Sequence, residues 1–134
     1  MAKLSYIEGI GEVYEAKLNA VGIRSTDDFL EKAATKKGRQ EVAEATGLSE
    51  KLILEWANRS DLLRINGVGS EYGDLLEFAG VDTVPELANR NSENLYKKII
   101  EVNEEKNLVR KLPTEAQIAD WIEQAKKLPR VLTY

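Results

Sequence analysis

The segment Ile7-Glu8-Gly9-Ile10-Gly11 returns as Ile65-Asn66-Gly67-Val68-Gly69, and this return constrains the fold more than any other feature of the chain. The spacing of 58 residues holds beyond the glycines: Tyr14 pairs with Tyr72, Leu18 with Leu76, Gly22-Ile23 with Gly80-Val81, and Phe29 with Leu87. A supersecondary unit repeated in tandem accounts for all of these pairs. Within each copy, Gly-apolar-Gly has a physical meaning. The glycines permit a tight turn with positive φ, and the apolar residue between them points inward. In the first copy apolar residues then fall at 13, 14, 18 and 21, close to helical spacing. A helix begun in this way presents backbone amides that can receive an anion.

The rest of the chain reads as further helices. Gly22 is placed to stop the first helix in the left-handed region. Ser25 or Thr26 caps a second, with Asp27 and Asp28 in its first turn, where the helix dipole favours acids. Lys36-Lys37-Gly38-Arg39 is either a basic linker or the start of a third helix that ends at Gly47. Ser49 and Glu50 open a fourth, with Leu52, Ile53 and Trp56 on one face, and Ser60 to Arg64 is expected as a short helix entering the second corner. In the second half, Ser49…Trp56 recurs as Thr114…Trp121, now 65 residues on instead of 58. The second copy has therefore gained about two helical turns between Ala88 and Pro113. The added residues are expected within 91–110, as a longer helix followed by a short one. No segment alternates at strand period. The expected fold is all-α, divided at 1–60 and 61–134, or one compact domain if the two copies share a core.

Missing residue types narrow the chemistry. The chain has no Cys and no His. Disulfides, thiolate nucleophiles, zinc ribbons and the commonest general base are thereby excluded. Ser and carboxylates fall mostly at expected helix starts with no base partner, so no catalytic residue is assigned and no enzyme is expected. No apolar run reaches the length of a membrane span, and the start lacks the apolar core of a signal peptide. The expectation is a cytoplasmic protein with no membrane partner. A net charge of −4 argues against a generic polyanion binder. The charge is uneven, however: residues 1–89 hold 10 Lys/Arg and 16 Asp/Glu, net −6, while residues 90–134 hold 9 and 7, net +2.

The pattern apolar-x-Gly-apolar-Gly-x-x-Tyr-x-x-x-Leu-x-x-x-Gly-apolar resembles the helix-hairpin-helix motif of many DNA repair and recombination proteins. Over its whole length the chain also resembles an uncharacterised bacterial family of tandem helix-hairpin-helix proteins, catalogued as a domain of unknown function. The resemblance implies a duplicated, SAM-like helical bundle of about eight to ten short helices. It also implies a non-enzymatic module that binds the DNA or RNA backbone without reading sequence. The implied contacts lie at Gly9, Gly11, Glu12 and Val13 in the first copy, and at Arg64, Asn66, Gly67, Gly69, Ser70 and Glu71 in the second. No cofactor or metal is implied, although some hairpins of this kind hold a monovalent cation through backbone carbonyls.

The chain departs from that pattern at one telling place. Nucleic-acid-binding relatives often put Pro or Ser, then Lys or Arg, after the second glycine; here stand Glu12-Val13 and Ser70-Glu71. A carboxylate at a helix start competes with a phosphate for the same dipole and repels it. The second copy, with Arg64, Asn66 and Ser70, is the better phosphate candidate. The alternative is a protein-interaction or scaffold module in which the glycines only turn the chain and Glu12 and Glu71 only cap helices. Tyr14 and Tyr72 could stack on bases, but their helical spacing with Leu18 and Leu76 is that of core residues; Trp56 and Trp121 are expected in core packing or a shared face between copies. Lys36, Lys37, Arg39, Lys97, Lys98, Arg110, Lys111, Lys126, Lys127 and Arg130 are expected as dispersed surface residues, unless folding gathers them into a stripe.

Overall fold

In the computed structural model, which describes residues 2–134, every regular element is helical. A 3-10 turn at Leu4–Tyr6 precedes α1 (Glu12–Ala20), α2 (Thr26–Lys32), α3 (Lys36–Thr46) and α4 (Glu50–Leu62). Then come α5 (Ser70–Phe78), α6 (Val84–Ala88), α7 (Ser92–Lys106) and α8 (Glu115–Lys127). The chain forms two compact units. One runs as far as Asp61 and takes in Arg130–Tyr134; the other is Leu62–Pro129.

The internal repeat is visible bond by bond. The Ile7 amide donates to the Leu4 carbonyl at 3.0 Å, and the Ile65 amide to that of Leu62 at 3.1 Å. Ile10 to Ile7 and Val68 to Ile65 are both 3.1 Å. Gly22 and Gly80, at φ of +85° and +92°, end α1 and α5. Just beyond them the amides of Ile23 and Val81 turn back to the carbonyls of Leu18 and Leu76, at 3.0 and 2.9 Å. This is the six-to-one closure of a Schellman motif, and its apolar partner is sealed in: Ile23 and Val81 are fully buried.

Local chemistry starts the remaining helices. The side chains of Ser25, Thr35, Asn91 and Thr114 each accept the amide three residues on, and Gln117 completes a capping box with Thr114. The Ser49 hydroxyl does the same for the Leu52 amide, at 3.2 Å. Lys36–Arg39 is thus the opening turn of α3, not a linker. Ser60 to Arg64 forms no helix of its own, because α4 continues without a break to Leu62.

The extra residues of the second copy take a different form from the one expected. Helix α7 has 15 residues against 11 in α3, which is about one more turn. It stops at Asn107, whose φ of 51° is left-handed, and no short helix follows before α8. The Asn103 side chain holds the returning strand instead: its carbonyl oxygen accepts the Val109 amide at 3.0 Å, and its amide donates to the Val109 carbonyl at 3.2 Å. Val109 thereby reaches the core of the second unit, which packs around Leu75, Leu76, Leu87, Ile99 and Trp121.

In the first unit Arg39 is buried, with 5% of its surface exposed, and is no solubility residue. Its guanidinium donates to the carbonyls of Ala33, Ala34 and Thr133 at 2.9, 3.2 and 2.7 Å. Three carbonyl partners replace the water that a buried cation loses, and the Tyr134 ring lies 5.4 Å away. The terminal segment is in this way tied down beside α3.

Candidate nucleic-acid interface

The two glycine corners take one conformation. Gly9 and Gly67 have φ of +96° and +97°. Gly11 and Gly69, the residues before α1 and α5, are in extended backbone, at φ −89° and −101°. Positive φ is therefore needed only at the first glycine of each pair. Ile10 and Val68, between the glycines, are buried as the pattern requires.

A tryptophan from the last helix of each copy supports each corner. Trp56 meets the Tyr14 ring at 5.4 Å and 54°, and Trp121 meets Tyr72 at 5.4 Å and 52°. Both tryptophans are buried within their own unit, so core packing explains their repetition. The contact under the corner is closer in the second copy. A methyl group on Gly67 would lie 3.0 Å from Trp121 Nε1, but one on Gly9 would lie 3.6 Å from Trp56 Nε1. Alanine at Gly9 therefore meets only the backbone penalty, about 1–2 kcal/mol. At Gly67 the same penalty is joined by overpacking against an indole, so Gly67→Ala is expected to cost about 2–3 kcal/mol. Urea denaturation of the two variants checks this; equal losses would contradict it.

The helix starts at the corners differ from most others in the chain. Neither α1 nor α5 has a side-chain cap, because its cap residue is glycine. At Gly11 neither backbone nor space demands glycine: its φ suits any residue, and nothing lies within 4 Å of where a Cβ would stand. A capping Ser or Asp would fit there. Glycine leaves the first-turn amides of α1 without one.

The expected contact residues are not all alike. Gly9, Gly11, Glu12 and Val13 are exposed, Val13 at 70%. In the second copy Asn66, Gly67 and Glu71 are exposed, and Arg64, Gly69 and Ser70 are half-buried. Asn66 is occupied at its backbone: Gln124 Oε1 accepts its amide at 2.8 Å, and Gln124 Nε2 donates to its carbonyl at 3.1 Å. Arg64 donates to the Pro129 carbonyl at 2.8 Å, which fastens the end of α8. Both residues thus help to hold the corner in place. Gln124 was not legible as a corner residue, since only the fold brings it 58 positions back to Asn66.

One backbone tie reaches α5 next to a basic pair. Tyr72, in the first turn of α5, donates its hydroxyl to the Lys111 carbonyl at 3.0 Å. The backbone of Lys111 is thus tethered to α5, and the side chains of Arg110 and Lys111 are exposed. The first corner carries two acids in its opening turn, Glu12 and Glu15, where the second carries Glu71 alone.

Among the described residues no helix is long and apolar enough to cross a membrane, and no group of three His, Cys, Asp or Glu is placed to hold a metal ion. A family model described as "Domain of unknown function (DUF4332)" matches residues 8–128. No curated protein and no solved structure matches the chain.

Proposed function

The chain belongs to the family which that model describes, and on this footing we propose that it is a non-enzymatic tandem helix-hairpin-helix module binding the phosphate backbone of DNA or RNA without reading sequence. The observation that carries the reading is the pair of matching glycine corners, each opening a helix that no side chain caps. Backbone amides at such a helix start meet a phosphate oxygen with the positive end of the dipole behind them.

The two copies do not share the work equally. The second corner is the binding one, with the amides of residues 69–71, the Ser70 hydroxyl, and the exposed side chains of Arg110 and Lys111, the latter held to α5 by its backbone carbonyl. The first corner, with Glu12 and Glu15, is its structural twin and keeps the turn without the anion. The net charge of −4 fits a binder of few phosphates better than one that wraps a long duplex.

Fluorescence anisotropy with short duplex and single-stranded DNA of unrelated sequences, at low salt, tests this. Similar affinities are expected for all of them. Two phosphates neutralised correspond to a log–log salt slope of about −2. Replacing Arg110 and Lys111 by alanine should shallow that slope by about one unit each. Gly69→Asp should cap α5 with a carboxylate and abolish binding while circular dichroism stays helical. No binding by the wild-type chain at low salt would end this reading and leave the protein-interaction alternative.

A further inference from the structure

The first unit shows what its fourth helix and its second helix junction are able to hold. The terminal segment runs between them without helical structure. The Thr133 amide donates to the Ala34 carbonyl at 2.8 Å, and the Tyr134 hydroxyl donates to Asn58 Oδ1 at 2.9 Å. Leu132, the residue before these anchors, is 2% exposed.

The repeat places a matching groove in the second unit. Ala34 directly precedes the cap residue of α3, as Arg90 directly precedes that of α7. Asn58 on α4 corresponds to Glu123 on α8, at the spacing of 65 residues that also relates Trp56 to Trp121. Arg90, Asn91, Ala119, Ile122, Glu123 and Lys126 line a groove of about 240 Å³ there. No part of the second unit corresponds in sequence to the segment that fills the first.

We propose that this groove receives a non-helical segment of another protein, carrying an apolar residue two positions before a tyrosine, as Leu132 stands before Tyr134. The chemistry of the lining matches that spacing. Half-buried Ala119 offers apolar surface to the first residue, above the core residue Ile122. Glu123 stands where Asn58 accepts a tyrosine hydroxyl; it pairs with Lys126 through Oε1 at 3.3 Å, and a carboxylate has a second oxygen.

The chain's own terminal segment is not the occupant. It is held in the first unit by Arg39, and the residue at the same place beyond the cap of α7 is Leu95, buried in the core. A segment leaving the first groove would lose that charge-assisted bond and find no replacement. The site shares no residue with the glycine corners, so it stands or falls apart from phosphate binding.

The test uses the whole isotope-labelled chain and a synthetic peptide of the sequence 128–134, followed by NMR. Shifts at Ala119, Ile122 and Glu123, with one peptide bound per chain, are expected. Replacing the peptide's tyrosine by phenylalanine, or Glu123→Ala in the exposed face of α8, should each weaken binding about fivefold, the value of one hydrogen bond. Ala119→Arg should block the groove. The proposal is overturned by no shifts at millimolar peptide, by shifts confined to Ala34 and Asn58, or by affinity unchanged in both protein variants. Self-association that rises with concentration and disappears on removal of residues 130–134 also overturns it, by assigning the groove to a second copy.

Discussion

Replacing Trp121 by alanine is expected to destabilise the second unit by about 4 kcal/mol, near the middle of the range for truncating a buried large aromatic. The side chain is 2% exposed and joins three parts of its unit. It lies under the corner at Gly67, meets the Tyr72 ring at 5.4 Å, and belongs to the core that includes Leu76 and Ile122. Its removal opens a cavity beneath a turn whose backbone has little freedom to collapse, because Gly67 is fixed in a left-handed conformation and Asn66 is held on both sides by Gln124. Tyr72 then loses its stacking partner, and with it the rigid seat from which its hydroxyl holds Lys111. Hydrogen exchange should show lost protection at Leu75, Leu76 and Ile99, and chemical denaturation should give the magnitude. Trp121→Phe should recover more than half of the loss, since a ring remains to meet Tyr72. A loss below about 1 kcal/mol for the alanine variant would mean that the corner is supported by something other than the indole.

Much of this arrangement is legible in the residues because it is local. The glycine corners, the side-chain caps and the stop at Gly22 and Gly80 depend on neighbours within a few positions, and sequence spacing expresses such dependence directly. The pairing of Trp56 with Trp121 is legible for another reason: duplication copies a long-range contact together with both its partners. What stays hidden is what the two copies do not share. Arg39 reads as one more surface cation among Lys36 and Lys37, and only the return of Thr133 and Tyr134 buries it. The seven-residue gain in the second copy shows in the spacing, as 65 against 58. Its form does not show, since the Asn103 clamp on Val109 has no counterpart in the first copy from which to read it. Arg64 and Asn66 are the instructive cases at the site. Their residue types suit a phosphate, yet each makes a bond within the fold that sequence cannot reveal.

Gly38→Ala is expected to cost the first unit about 3 kcal/mol, although the position is helical and alanine is ordinarily the better helix former. Helix propensity alone would predict a gain of about 1 kcal/mol, so the sign of the change decides between local preference and packing. The deciding contact is with the carbonyl oxygen of Lys32, into which a Cβ at this position would run. That atom is backbone at the end of α2 and cannot rotate away as a flexible side chain would. The Gly38 amide is meanwhile held by Thr35 Oγ1 at 3.0 Å, so α3 cannot slide outward without losing its cap. The second copy does not keep a glycine at this place. There α6 is two residues shorter than α2, and the position three past the cap of α7 is Asn94, which carries a side chain. Glycine at 38 is therefore required by the approach of the Lys32 carbonyl to the first turn of α3. Hydrogen exchange at Phe29 and Val42, compared between wild type and Gly38→Ala, reads the first unit directly. Unchanged or increased protection there would show that the two helices have room to part, and that α2 and α3 are not fixed against each other by their backbones.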